Sequence, residues 1–519
     1  MGKDLTLADV QVSYDILKKD IAKQMRRGRY AKAYSLIDTY AIFSQTINDH
    51  FYDEEIESDL KYLAAHVVGP KEMEGPLDRK RIVFYDQIGT TICLGLQYLR
   101  ALKSLGYEIV YLFESQQRNI KPALLDEVKK LCAEYYVFQG KSSVRLAHRI
   151  QDLIIHSRAA KLITHFSAEG ALAFSVLYSI KGIEKYRIVP GDHHYNLGVD
   201  CYDHFFEYRK FAIKVAHEER RIPLEKIYKL PYYPIITSFC DFQGFPPETE
   251  GKVIILAAGS EYKFHGSNWF FEISDWILKT HENVVILFLG GKSAIIESFV
   301  KEKGLEGRFI LGGYRKDFVE CMKRVDMFLN SYPMGGGLVG LTAINLAKPV
   351  ISHYEEHNAL QNSIRSFLGA EDIDSPISFA DDDLLKAYIT RLITDRAFRE
   401  AEGNRMKGMA QTSEHFTWML GEYLEGRLPA VTEVTPVSCF LDYRRDCYIT
   451  LQNEFLPTTL SLLLKEYGLG MGIKFRHLRG FIQKHRRLVL GWWLGITADR
   501  LLPEGAVDKL KAAFKQKFV

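Results

Sequence analysis

Residues Ser331–Tyr354 read SYPMGGGLVGLTAINLAKPVISHY. Three glycines, Gly335, Gly336 and Gly337, separate a short apolar run from a stretch of helical spacing, and a second apolar run then ends at His353. Glycine gives up more backbone entropy on folding than any other residue, so three in a row mark a positive-φ turn or a close backbone approach. Two readings compete. The plainer one is a tight strand-to-helix turn. The other is a loop whose bare N–H groups, at the start of a helix running roughly from Leu338 to Leu346, form an anion site suited to a pyrophosphate.

Working outward, the chain from residue 79 is a series of short β-rich runs separated by helical stretches. The first series is RIVFYD (81–86), EIVYLFE (108–114), EYYVFQ (134–139), KLITH (161–165), YRIVP (186–190), HFFEYR (204–209) and IYKLPYY (227–233). After the break DFQGFPPETEGK come VIILAAGS (253–260), NVVILFLGG (283–291), RFILGG (308–313), MFLNSY (327–332) and PVISHY (349–354). Apolar strands alternating with helices predict parallel sheets covered on both faces. The expected fold class is therefore α/β, with two doubly wound, Rossmann-like domains at 79–245 and 250–425. A helical region precedes them (1–75), with Tyr30, Ala33, Tyr34, Ile37 and Tyr40 on one side of a helix, and GPKEMEGPLDRK reads as a linker. A helical, basic tail follows at 430–519.

Composition narrows the function classes. The 519 residues are 47% hydrophobic and 26% charged, as in a globular protein with a sizeable core. The formal net charge is only +3, but from Met471 to Val519 there are 11 Lys or Arg against 3 Asp or Glu. A basic end on a mildly acidic body points to an anionic partner at that end. The seven cysteines are scattered without CxxC pairing, which fits a reducing cytosol better than a disulfide framework or a zinc site. No apolar run reaches the ~20 residues of a membrane span. A cytoplasmic location is expected.

Ligands of doubly wound sheets bind beyond the carboxyl ends of the strands, so those loops are where chemistry is to be sought. In the second domain Lys263 follows the first run, with Ser267 or Asn268 placed to cap the helix that carries Trp269 and Trp276. Arg315 and Lys316 follow the third run, and Gly335–Gly337 the fourth. Three phosphate-suited features on one sheet edge favour the anion-site reading. In the first domain Gly89, Thr90 and Thr91 lie between the first strand and its helix. VPGDHHYNLGVD then gathers Asp192, His193, His194, Tyr195 and Asn196 behind one strand. A histidine of neutral-range pKa can take a proton from an acceptor hydroxyl while a neighbouring carboxylate orients it. His194 is the first choice for that base, with His193 next and Asp192 as partner. His165, with Glu169 four residues on, is a further candidate. Adjacent histidines cannot easily ligate one ion, so no metal site is expected.

These features resemble the GT-B glycosyltransferases, and in most detail the family of the O-linked N-acetylglucosamine transferases and the bacterial cytosolic protein glucosyltransferases. The likeness spans about residues 80–425. It rests on the YK pair Tyr262–Lys263, on GLEGRFIL (304–311) and on GGGLVGLTAINLAKPV (335–350). The resemblance implies that Lys263 contacts a donor diphosphate, that the Gly335–Gly337 loop cradles it, and that the Gly89–Thr90 loop faces the donor across the cleft. It implies a UDP-hexose donor and no cofactor beyond that co-substrate, with helix dipole, Lys and Arg stabilising the leaving diphosphate without a metal. Thr342 stands where such enzymes usually place an acidic ribose ligand.

A sugar-nucleotide epimerase of the same architecture is the rival enzyme, and a non-catalytic glycosyltransferase-like partner protein the rival outside catalysis. The acceptor is expected to be a protein, presented by the helical N-terminus, or a cell-envelope glycan. No nucleic-acid partner is expected. The basic tail, with Trp492 and Trp493 among its charges, is expected to lie peripherally on an anionic membrane surface, those rings at headgroup level.

Overall fold

The computed structural model describes residues 2–89, 94–115, 120–139, 143–264, 266–355, 364–369, 377–435 and 441–501. Its strands are β1 (Lys71–Glu72), β2 (Asp78–Asp86), β3 (Glu108–Ser115), β4 (Glu134–Gln139), β5 (Ala159–His165), β6 (Ile180–Lys181), β7 (Glu184–Ile188), β8 (His204–Glu207) and β9 (Ile227–Lys229). β10 (Val253–Ala258), β11 (Val284–Leu289), β12 (Phe309–Leu311), β13 (Met327–Leu329) and β14 (Val350–Ile351) follow. The first large sheet has the order β4-β3-β2-β5-β7-β8-β9 and the second β12-β11-β10-β13-β14, with every pairing parallel. Each of the twelve apolar runs overlaps one of these strands.

Two-residue alternation divides each sheet between two cores. In the first sheet Ile82, Phe84, Ile109, Tyr111 and Phe113 face one way, onto the helix Leu94–Ser104. Val83, Tyr85, Val110, Leu112 and Leu162 face the other, onto the N-terminal helices. The second sheet does the same, with Ile255, Ile286 and Phe288 toward the helix Trp269–Thr280, and Leu256, Leu287 and Phe328 toward the helix Gly337–Asn345. Burial on both faces is why these strands read as unbroken apolar runs.

The two terminal segments pack together on the first sheet. Helices α1 (Leu7–Arg26), α2 (Tyr30–Ile47) and α3 (Glu54–Leu63) share one core with the first sheet. Leu460, Leu463, Leu464, Met471, Phe475, Leu478 and Phe481 of the tail belong to that same core. Ion pairs fasten the two ends together: Lys32–Glu466 at 2.6 Å, Lys484–Asp4 at 2.5 Å, and Lys474–Asp20. The segment read as a linker contributes β1, which pairs in parallel with β6 through Lys71 and Glu72. The helix Ser413–Leu424 crosses back to pack Phe416, Leu420, Tyr423 and Leu424 against the first sheet. Trp492 and Trp493 pack against the core of that body rather than standing out from it, because the tail has an apolar surface of its own chain to cover. Among the described residues, no helix is long and apolar enough to cross a membrane.

Candidate active site

Strand order fixes where the crevices are. In the second sheet the order reverses between β10 and β13, and in the first between β2 and β5. Such a switch point leaves a gap between neighbouring loops at the carboxyl edge. Lys263 follows β10 and the glycine loop follows β13, so the two lie on either side of the second gap. They also touch: the Met334 N–H donates to the Lys263 carbonyl at 3.3 Å. Burial pushes the Lys263 ammonium below its usual pKa, and among the described residues it makes no hydrogen bond or ion pair. A desolvated cation with no counter-charge is costly, and an anionic ligand would relieve that cost.

The three glycines have distinct roles, and neither Gly336 nor Gly337 serves a left-handed turn. Gly336 has φ −87° and caps the helix, its N–H donating to Asn330 Oδ1 at 2.9 Å. Gly337 opens the helix, where a Cβ would stand 2.4 Å from the Phe367 ring; a Cβ at Gly340 would meet Ile364 at 2.7 Å. Gly335 is half-buried at the crevice. The N–H groups of Gly337, Leu338 and Val339 have no intrahelical acceptor, since the first such bond runs from Gly340 to Gly336. Close approach was the correct half of the opening alternative. What approaches is a neighbouring helix, through Phe367 and Ile364.

The histidine loop follows β7 in the first sheet. Asp192 is fully buried; its Oδ1 accepts from His193 Nδ1 at 2.9 Å and its Oδ2 from Arg209 Nε. Burial alone would raise its pKa, but the Arg209 charge and both hydrogen bonds hold the carboxyl well below the usual range. The carboxylate therefore orients His193, whose ring is part-exposed, and Nε2 is the nitrogen facing away from it. The His194 ring lies beside that ring, centroids 3.8 Å apart and planes inclined by 55°, and turns Nδ1 toward Gln45 of α2 at 3.3 Å. The loop is strapped from below: Arg220 Nη2 donates to the carbonyls of Gly191, Asp192 and His194, and Arg187 donates to the Leu197 carbonyl and to Asn196 Oδ1.

Arg209 joins the two halves. Its guanidinium lies over the Phe367 ring at 4.4 Å, and its Nη1 reaches Ser366 Oγ at 3.5 Å. Phe367 is the ring that fills the space beside Gly337, so Asp192, Arg209, Phe367 and Gly337 form one continuous chain of contacts between the sheets.

Other expected site residues have different neighbours. Arg315 grips Asp317 with Nε at 2.7 Å and Nη2 at 2.5 Å, and holds the Gly244 carbonyl at 2.9 Å, bracing the connection between the sheets. The hydrogen bonds from Arg315 push Asp317 down to about 2. The Thr342 hydroxyl donates to the Leu338 carbonyl one turn back at 2.8 Å, leaving it only acceptor capacity. Gly89 has φ +53°, and a Cβ there would strike Phe113 at 2.3 Å. Thr90 and Thr91 lie outside the described residues. Of the two possible caps, Ser267 accepts the Trp269 N–H at 3.1 Å, while Asn268 makes no side-chain cap. His165 is buried at the first switch point, Nδ1 facing Asp86 Oδ1 at 3.1 Å, and Asp86 is held further by Tyr111 at 2.7 Å.

Asn330, Arg209 and Arg220 were missed by sequence reasoning. Asn330 and Arg209 each sit within two residues of a strand end, a position that can be searched for any polar side chain.

No family model and no curated protein sequence matches the chain. Solved structures do resemble it. Anabaena HepE in complex with UDP-glucose is 12% identical, with 67% of this chain and 98% of that one covered and a TM-score of 0.50. An O-GlcNAc transferase mutant from Thermobaculum terrenum is 13% identical over 84% and 83%, with a TM-score of 0.49. A UDP-N-acetylglucosamine 2-epimerase is 14% identical over 69% and 100%, with a TM-score of 0.48. The likeness to HepE speaks to fold. Together with the two parallel sheets and their switch points, it defines the chain as a GT-B-type α/β protein.

Proposed function

We propose that the protein is a glycosyltransferase that moves a sugar from a nucleotide diphosphate, a UDP-hexose, to a hydroxyl or amide of a protein or cell-envelope glycan. The observation that carries this reading is Lys263. It is a desolvated ammonium with no counter-charge among the described residues, seated against the glycine loop at a topological switch point. In the proposed reaction the diphosphate lies between Lys263 and the first turn of the helix Gly337–Asn345. Both stabilise the charge that develops as the sugar leaves. His193, held by ionised Asp192, takes the proton from the acceptor through Nε2. Thr342 offers the ribose a hydroxyl oxygen in place of the usual carboxylate.

The test has two stages. Calorimetric titration with UDP, ADP and GDP should show binding of UDP that disappears in Lys263→Ala. Incubation with UDP-hexoses should then release UDP only when an acceptor is added. Sugar interconversion without acceptor would make the protein an epimerase, and absence of nucleotide binding would overturn the reading altogether.

A further inference from the structure

Six of the fifteen exposed large hydrophobic side chains of the described residues lie between Leu456 and Leu494. Ile473 is 77% exposed, Leu469 60% and Leu490 55%, with Leu488 and Leu494 also open. Single exposed aliphatics need no explanation, but this concentration in one short segment does. The last described helix, Arg486–Leu501, has two unlike sides. Val489, Trp492, Trp493 and Ile496 pack on the core, whereas Arg486, Leu490 and Leu494 recur every four residues on the side facing out, with Arg487 exposed beside them. In the preceding turn Leu469 and Ile473 show the same four-residue spacing.

Charge separates the candidate occupants of this surface. From Tyr467 to Ala498 the chain contains no Asp or Glu. Lys474 and Lys484 are spent on Asp20 and Asp4, but Arg476, Arg479, Arg486 and Arg487 are exposed and, among the described residues, have no ion-pair partner. The remaining sequence after Leu501 carries Lys509, Lys511, Lys515 and Lys517 against Glu504 and Asp508, so it has the same sign and is a poor cover. A second copy of this face would likewise set arginine against arginine. An anionic lipid surface satisfies both components, taking the aliphatic side chains into its acyl boundary and the guanidinium groups at its phosphates.

We infer that the segment Tyr467–Leu494 docks the protein on an anionic bilayer surface through Leu469, Ile473, Leu490 and Leu494, flanked by the four arginines. The tryptophans are not the anchor. They fix the helix to the body so that its aliphatic side faces outward.

Vesicle co-sedimentation of the full chain tests this, with phosphatidylcholine alone and with phosphatidylcholine containing phosphatidylglycerol. Binding should require the anionic lipid and weaken with salt. Arg486→Gln with Arg487→Gln should lower partitioning about 30-fold, two basic residues at about 1 kcal/mol each. Leu490→Ser with Leu494→Ser should lower it as well, and both exposed pairs should keep the parent's unfolding midpoint. Absence of sedimentation with anionic vesicles overturns the inference, as does binding that both pairs leave unchanged. Vesicle binding gained only on truncation after Leu501 also overturns it, by showing that the chain's own end covers the face. So does concentration-dependent dimerisation abolished by Leu490→Ser.

Discussion

Arg209 and Phe367 meet across the gap between the two sheets, the guanidinium 4.4 Å from the ring centroid. One residue holds the Asp192 carboxylate of the histidine loop and the other fills the space beside the first helical glycine. The position of the histidines is thereby coupled to that of the glycine helix.

The Asp192–Arg209 pair should dominate the acid limb of stability. The Asp192 pKa is depressed in the fold, so its contribution is present above about pH 4, the unfolded value, and is lost as pH falls through the lower folded one. Asp192→Asn removes the charge of one member of a buried ion pair and should cost about 3–5 kcal/mol at neutral pH. Urea denaturation across pH should show the gap to the parent closing below about pH 4. A pH-independent gap would contradict this.

Lys263 should trade stability for binding. Its pKa is lowered by burial, so the charged form destabilises the empty protein at every pH below the folded value, and the cost fades as pH rises toward the unfolded one. Lys263→Met should therefore raise the unfolding midpoint without ligand at pH 7. It should also weaken nucleotide diphosphate binding by about one to two powers of ten, the worth of a charged hydrogen bond. Unchanged diphosphate affinity would remove Lys263 from the site.

The two histidines should separate in kinetics. His193→Ala should lower turnover by roughly 100- to 10,000-fold, as expected for loss of a general base. His194→Gln should cost much less, because the buried carboxylate holds His193. Equal losses, measured by acceptor-dependent UDP release, would show that the pair acts in some other way.

Gly337→Ala brings a methyl to 2.4 Å from Phe367 and should destabilise by about 1–3 kcal/mol through overpacking. Adding Phe367→Leu should recover part of that loss. A double-mutant cycle with no coupling would mean that the two residues do not share this space.

The sheets were legible because buried parallel strands must be apolar on both faces, and their loops because ligands gather at carboxyl ends. Partnering was less legible. Arg315 follows a strand and carries the right charge, but Asp317, two residues later, takes its guanidinium. Thr342 has the right place in the helix, yet its hydroxyl bonds back to Leu338. Arg209 stands two residues past a strand end, but its contact with Ser366, 157 residues away, could be found only with the fold in hand. The tail was misread at Trp492 and Trp493 for a related reason. Aromatic residues among charges look the same in sequence whether they meet lipid or the chain's own first helices.

Lys32–Glu466 and Lys484–Asp4 join the N-terminal segment to the tail, and the helix Ser413–Leu424 returns to the first sheet. The second sheet is thus an insertion within a body that starts at one end of the chain and is completed near the other. During synthesis the inserted half has all its strands before its host has its final helices. Until those helices emerge, the face of α2 that receives Leu460 and Leu463 stays open to solvent, and the nascent protein is most prone to association in that interval.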